Sequence, residues 1–66
     1  MEYNLYVNYD CISEHKSFNA AKKAFNREVK ADPEAIIDIL SADGEKSYLA
    51  YDPDTKEIYE GNYEIN

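Results

Sequence analysis

Polar and apolar residues nearly alternate at the start of the chain, with Tyr3, Leu5, Val7 and Tyr9 on one side and Glu2, Asn4, Tyr6 and Asn8 on the other. A period of two among strand-forming residues predicts a first strand over 2–9. The polar run from Asp10 to Lys16 reads as a connection, and Ser17 as a helix N-cap whose hydroxyl accepts from a free amide of the first turn. From Phe18 the period becomes helical: Phe18, Ala21, Phe25 and Val29, with Ala24 beside them, form one stripe. Pro33 disfavours helical geometry at Asp32, so the helix should end near Ala31.

The segment Glu34 to Ala42 contains Ile36, Ile37, Ile39 and Leu40 and reads as a central strand. Asp43-Gly44 is a strong hairpin signal, because glycine accepts positive φ without steric strain. A return strand over Glu45 to Asp52 follows, then a turn at Pro53-Asp54-Thr55 and a last strand over Lys56 to Ile65. The expected fold is a single α+β domain over residues 1–66 in β-α-β-β-β order. Its four-stranded, mostly antiparallel sheet carries one helix on one face. The helix places the first strand beside the other three, by a right-handed crossover if that strand joins in parallel.

One helix covers one sheet face only, so the other must meet water or a partner. Regular alternation puts Leu5, Val7, Ile37, Ile39, Leu49, Tyr51, Tyr59, Tyr63 and Ile65 under the helix. The opposite face then carries Tyr6, Ile36, Leu40, Tyr48 and Ile58, interleaved with Glu2, Asp38, Glu60 and Glu64. An apolar and aromatic patch rimmed by charge is the composition of a protein interface. A slip of one residue in the last strand would exchange Ile58 for Tyr59.

Size and charge sharpen that reading. A chain of 66 residues with a single cysteine has no internal disulfide to supplement a small core. Cys11, His15 and scattered carboxylates make a poor structural zinc set, so neither metal nor cofactor is expected. A partner, or a second copy in a homodimer, is the remaining support. Residues 16–30 hold Lys16, Lys22, Lys23, Arg27 and Lys30 against Glu28, a balance of +4. The remainder holds 13 acids against Lys46 and Lys56, which brings the net charge to −7.

Candidate chemistry is sparse. The sole histidine, His15, lies near Cys11 without an orienting third residue. Asp52, Asp54 and Glu57 lack the spacing of a calcium loop, and Gly44 and Gly61 stand apart from any phosphate-binding loop. No enzymatic activity is expected. No apolar run reaches the ~20 residues of a membrane span, and Met1 is followed by Glu2, so a soluble cytoplasmic protein without a secretion signal is expected.

The functional expectation is a small, acidic, non-enzymatic protein-binding module. It would cover, or mimic nucleic acid toward, a basic surface on a host protein, using Tyr6, Ile36, Leu40, Tyr48 and Ile58 for contact and Asp38, Glu60 and Glu64 for charge. An inhibitor encoded by a phage or other mobile element fits this economy of size. Direct nucleic-acid binding by the tyrosine-rich sheet is opposed by its acidity. The alternatives are a homodimeric nucleic-acid-associated regulator using Lys23, Arg27 and Lys30 on the helix, and a purely structural assembly subunit.

Overall fold

The computed structural model describes residues 2–61. Its elements are β1 (Tyr3–Val7), β2 (Asp10–His15), α1 (Phe18–Ala31), β3 (Ile37–Ser41), β4 (Ser47–Asp52) and β5 (Glu57–Glu60). The five strands form one antiparallel sheet in the order β2-β1-β3-β4-β5. The α+β class and the single helix match the sequence reading, but the order is β-β-α-β-β-β and the sheet has five strands rather than four.

The additional strand is β2, where a polar connection was expected. Asn8 and Tyr9 both take positive φ, 51° and 71°, the geometry of a two-residue hairpin turn that matches strand twist. Tyr9 stands where glycine usually marks such a turn, so the sequence hides it. Asn8 fastens the turn to the sheet: its side-chain Oδ1 accepts from the backbone amide of Ile36 at 3.0 Å, and its backbone amide donates to the carbonyl of Ile36 at 2.7 Å. The helical crossover consequently starts from β2. Strand β1 lies between β2 and β3, antiparallel to both, so it does not join the sheet through a parallel crossover.

The helix follows its sequence signals closely. Ser17 caps it by accepting from the amide of Ala20 at 3.2 Å, and Asp32 ends it by donating its amide to the carbonyl of Glu28 at 2.8 Å. Its stripe buries Ala21, Ala24 and Phe25 against Leu5, Ile37 and Ile39, and it packs on β1 and β3 and more lightly on β2. Fully burying a side chain such as Phe25 contributes about 1.5–3 kcal/mol. Ala35 and β4 complete the core: Leu49 and Tyr51 are buried, and the Tyr51 hydroxyl donates to the carbonyl of Pro33 at 2.7 Å, holding β4 to the segment after the helix.

Two turns set the register of the second half. In the β3–β4 connection Gly44 takes φ 75°, and the Asp43 carboxylate accepts from the Ser41 hydroxyl and the Glu45 amide. Those two hydrogen bonds hold the exposed Asp43 carboxyl below its ordinary pKa. In the β4–β5 turn the Lys56 amide donates to the carbonyl of Asp52 at 2.8 Å, and Lys56 itself takes φ 62°.

These turns and one irregularity reassign four residues between the faces. The β3–β4 ladder pairs Ile39 with Leu49 but Leu40 with Ser47, so Tyr48 is an extra residue and leaves the alternation. Its ring lies 4.9 Å from Tyr3 and 6.3 Å from Phe18, on the helix side of the sheet rather than on the open face. In β5, Ile58 pairs with Tyr51 and Glu60 with Leu49, which puts both on the helix side, whereas Tyr59 pairs with Ala50 and belongs to the open face. The expected placement of Ile58, Tyr59 and Glu60 is thus reversed, because the four-residue turn fixes Glu57 opposite Asp52. Glu64, Tyr63 and Ile65 lie outside the described residues.

Candidate functional site

The sheet face away from the helix is the candidate site. One row crosses the whole sheet: Cys11 of β2, Tyr6 of β1, Asp38 of β3, Ala50 of β4 and Tyr59 of β5 are successive cross-strand partners. A second row joins Glu14, Asn4 and Leu40, and at the far edge Asp52 pairs with Glu57. Ile36 precedes β3 and flanks the first row. Of the eight residues expected to contact a partner, Tyr6, Ile36, Asp38 and Leu40 share this face, and Tyr59 replaces Ile58 there.

The strands contribute Glu14, Asp38, Asp52 and Glu57 to this face, and no lysine or arginine. The cations lie elsewhere. Lys22, Lys23, Arg27 and Lys30 are exposed on α1, the layer on the other side of the sheet, and Lys46 and Lys56 sit at turns. Among the described residues one ion pair is formed, between Lys56 and Glu34 at 2.8 Å. It holds the Lys56 ammonium above its ordinary pKa, and the same ammonium donates to the carbonyl of Pro33 at 3.0 Å. The uneven charge of the sequence has become a polarity across the thickness of the molecule.

Asp38 occupies the middle of the open face. No hydrogen bond or ion pair within the described residues reaches its carboxylate, and burial raises its pKa above the ordinary 3.8, since a half-buried ion loses water that nothing replaces. In the adjoining row Asn4 is only 7% exposed, and its Oδ1 has no hydrogen-bond partner. Tyr59 is anchored differently, donating its hydroxyl to Glu57 at 3.0 Å. Beside the central row an open groove of about 440 Å³ runs between Ile36, Ala50 and Tyr59, with Asp52, Asp54 and the Lys56-paired Glu34 at its rim.

The remaining candidate chemistry is separated by the sheet. Cys11 pairs with Tyr6 and is exposed on the open face, whereas His15 pairs with Tyr3 on the helix side. The His15 Nε2 instead stands 2.8 Å from the Ser13 hydroxyl. Among the described residues no cluster of three histidine, cysteine or carboxylate side chains is arranged to hold a metal ion, and no helix is long and apolar enough to cross a membrane. Sequence reasoning did not single out Ala50, although alternation with Leu49 and Tyr51 places it on this face, and it offered Tyr59 only as the outcome of a one-residue slip, for which the length of the turn after Asp52 was the available signal. Compared with protein-family models, with characterised proteins and with solved structures, the chain matches none of them.

Proposed function

We propose that this chain is a small acidic protein-binding module that places its open sheet face against a basic surface of another protein. The observation that carries the reading is the composition of that face: Tyr6, Ile36, Leu40 and Tyr59 supply apolar and aromatic area, four carboxylates are interleaved with them, and its strands supply no cation. Such a face matches a basic, nucleic-acid-binding groove in sign, and charge complementarity of this kind speeds encounter and excludes acidic partners. Aromatic and aliphatic area interleaved with charge gives such a face both apolar contact and selectivity for a basic partner. In this role the protein acts as an inhibitor, by occupying a surface that a polyanion would otherwise reach.

The test is retention of lysate proteins on the immobilised chain, compared with a Glu14→Lys, Glu57→Lys variant whose charge reversals fall on exposed positions of the face. The expected result is a retained protein that is released by salt, displaced by duplex DNA and absent from the variant eluate. Retention that survives both reversals and ignores added DNA would sink the proposal. Light scattering of the free chain identifies the competing occupant, a second copy of itself.

A further inference from the structure

We propose that the open face contains a docking recess for an arginine side chain of the partner, with Asp38 receiving the guanidinium and Ala50 leaving room for the aliphatic stem between Asp38 and Tyr59. The inference rests on the open face being the binding surface, and it names the chemistry that surface selects.

Geometry supplies the first argument. Tyr6, Asp38, Ala50 and Tyr59 are consecutive cross-strand partners, and neighbouring strands lie about 4.8 Å apart. Asp38 and Tyr59 are therefore separated by roughly 10 Å, with only a methyl group between them. Two aromatic rings flank the carboxylate, one adjacent and one across that gap. The groove of about 440 Å³ opens from the same Ala50 and Tyr59 toward Ile36, so a chain whose side chain enters the gap has a continuous path beyond it.

The second argument is the unfilled chemistry of the strip. Asp38 is half-buried and no donor reaches its carboxylate within the described residues. A half-buried carboxylate without a donor calls for a ligand that donates and carries positive charge. Guanidinium fits best: it is flat, stacks on tyrosine, carries five N–H donors and grips a carboxylate with two of them. Ammonium satisfies the charge but neither stacks nor binds in a fork. A phosphate or nucleic acid is repelled by the four carboxylates of the face.

The experiment is titration of the isotope-labelled chain with a capped arginine-glycine peptide, and with its lysine-glycine counterpart, followed by amide chemical shifts. The same titration is run on Asp38→Asn, which removes the charge at constant shape, on Ala50→Leu, which fills the gap, and on Glu45→Gln, which removes an exposed charge of the β3–β4 connection, outside the face. Expected are shifts centred on Asp38, Ala50 and Tyr59, tighter binding of the arginine peptide, and about tenfold weaker binding by Asp38→Asn and Ala50→Leu with Glu45→Gln within about twofold. Equal, small losses in Asp38→Asn and Glu45→Gln would mean diffuse attraction, which overturns the recess and leaves the wider face standing. Shifts confined to residues off the open face would overturn both.

Discussion

Tyr6 and Asp38 are direct cross-strand partners on the open face, so a half-buried carboxylate lies against an aromatic ring with no cation to balance it. The folded state therefore binds the Asp38 proton more tightly than the unfolded chain does. A raised carboxylate pKa means that this group's contribution to stability is greatest below the ordinary 3.8 and is lost as pH rises through the folded value. At about pH 7 the ionised Asp38 is a net burden on the fold. Asp38→Asn should then melt at the same temperature as wild type or higher near neutral pH, with the gap closing at about pH 3, where both side chains are neutral. Calorimetry of the two proteins across that range checks it; a variant less stable at neutral pH would mean that the carboxylate has a partner in solution.

Phe25 is fully buried beneath the sheet, and truncation of such a residue leaves a cavity that a small core cannot collapse. Phe25→Ala should cost about 3–5 kcal/mol, most of the stability a domain of this size has to lose. Urea unfolding followed by circular dichroism should show a midpoint lowered to near zero denaturant. Tyr59→Ala, at an exposed position of the edge strand, should shift the same curve only slightly.

The contrast between legible and hidden features follows from where each is encoded. Ser17, Pro33 and the Phe18–Val29 stripe act within one helix, so neighbours in sequence are sufficient to place the element and its buried side. The core side of β1 and β3 was equally plain, because Leu5, Ile37 and Ile39 alternate without interruption. What failed depends on backbone geometry that residue type does not announce. Tyr9 makes a hairpin turn at positive φ, Tyr48 is an extra residue in its ladder, and the turn through Lys56 sets which side of β5 faces the helix. The first added a strand, and the other two moved Tyr48, Ile58 and Glu60 off the candidate face and Tyr59 onto it, so the face kept its mixed apolar and acidic character.

Tyr9 is 75% exposed and holds φ at 71°, a region where a side chain other than glycine costs about 1–2 kcal/mol. Glycine removes that strain but adds entropy to the unfolded chain. Tyr9→Gly should therefore stabilise the protein by about 0.5–1 kcal/mol, visible as a higher melting temperature. A lower one would show that the exposed ring contributes packing that outweighs its backbone strain.

Asn4→Leu replaces a buried amide of similar volume whose Oδ1 has no partner. Replacing an unsatisfied buried acceptor by an apolar group of the same shape removes a penalty of about 1–3 kcal/mol. The variant should be at least as stable as wild type in chemical unfolding. A clear loss would identify a bound water or ligand that the amide holds.

The basic face of α1 provides the sharpest separation between the proposed module and a nucleic-acid-associated regulator. Lys23, Arg27 and Lys30 are exposed on the side of the molecule opposite the acidic face, so either surface can be altered without touching the other. Reversing Lys23 and Arg27 to Glu leaves the open face intact, and the larger net negative charge should hold or raise the association rate with a basic partner. Binding of labelled duplex DNA, measured by anisotropy over a range of salt, should be weak for wild type at physiological ionic strength. A regulator that uses the helix would bind DNA with a steep salt dependence, and this double reversal would abolish it. Retained partner binding in the reversal, alongside loss in Glu14→Lys, Glu57→Lys, assigns recognition to the sheet; the opposite pattern assigns it to the helix.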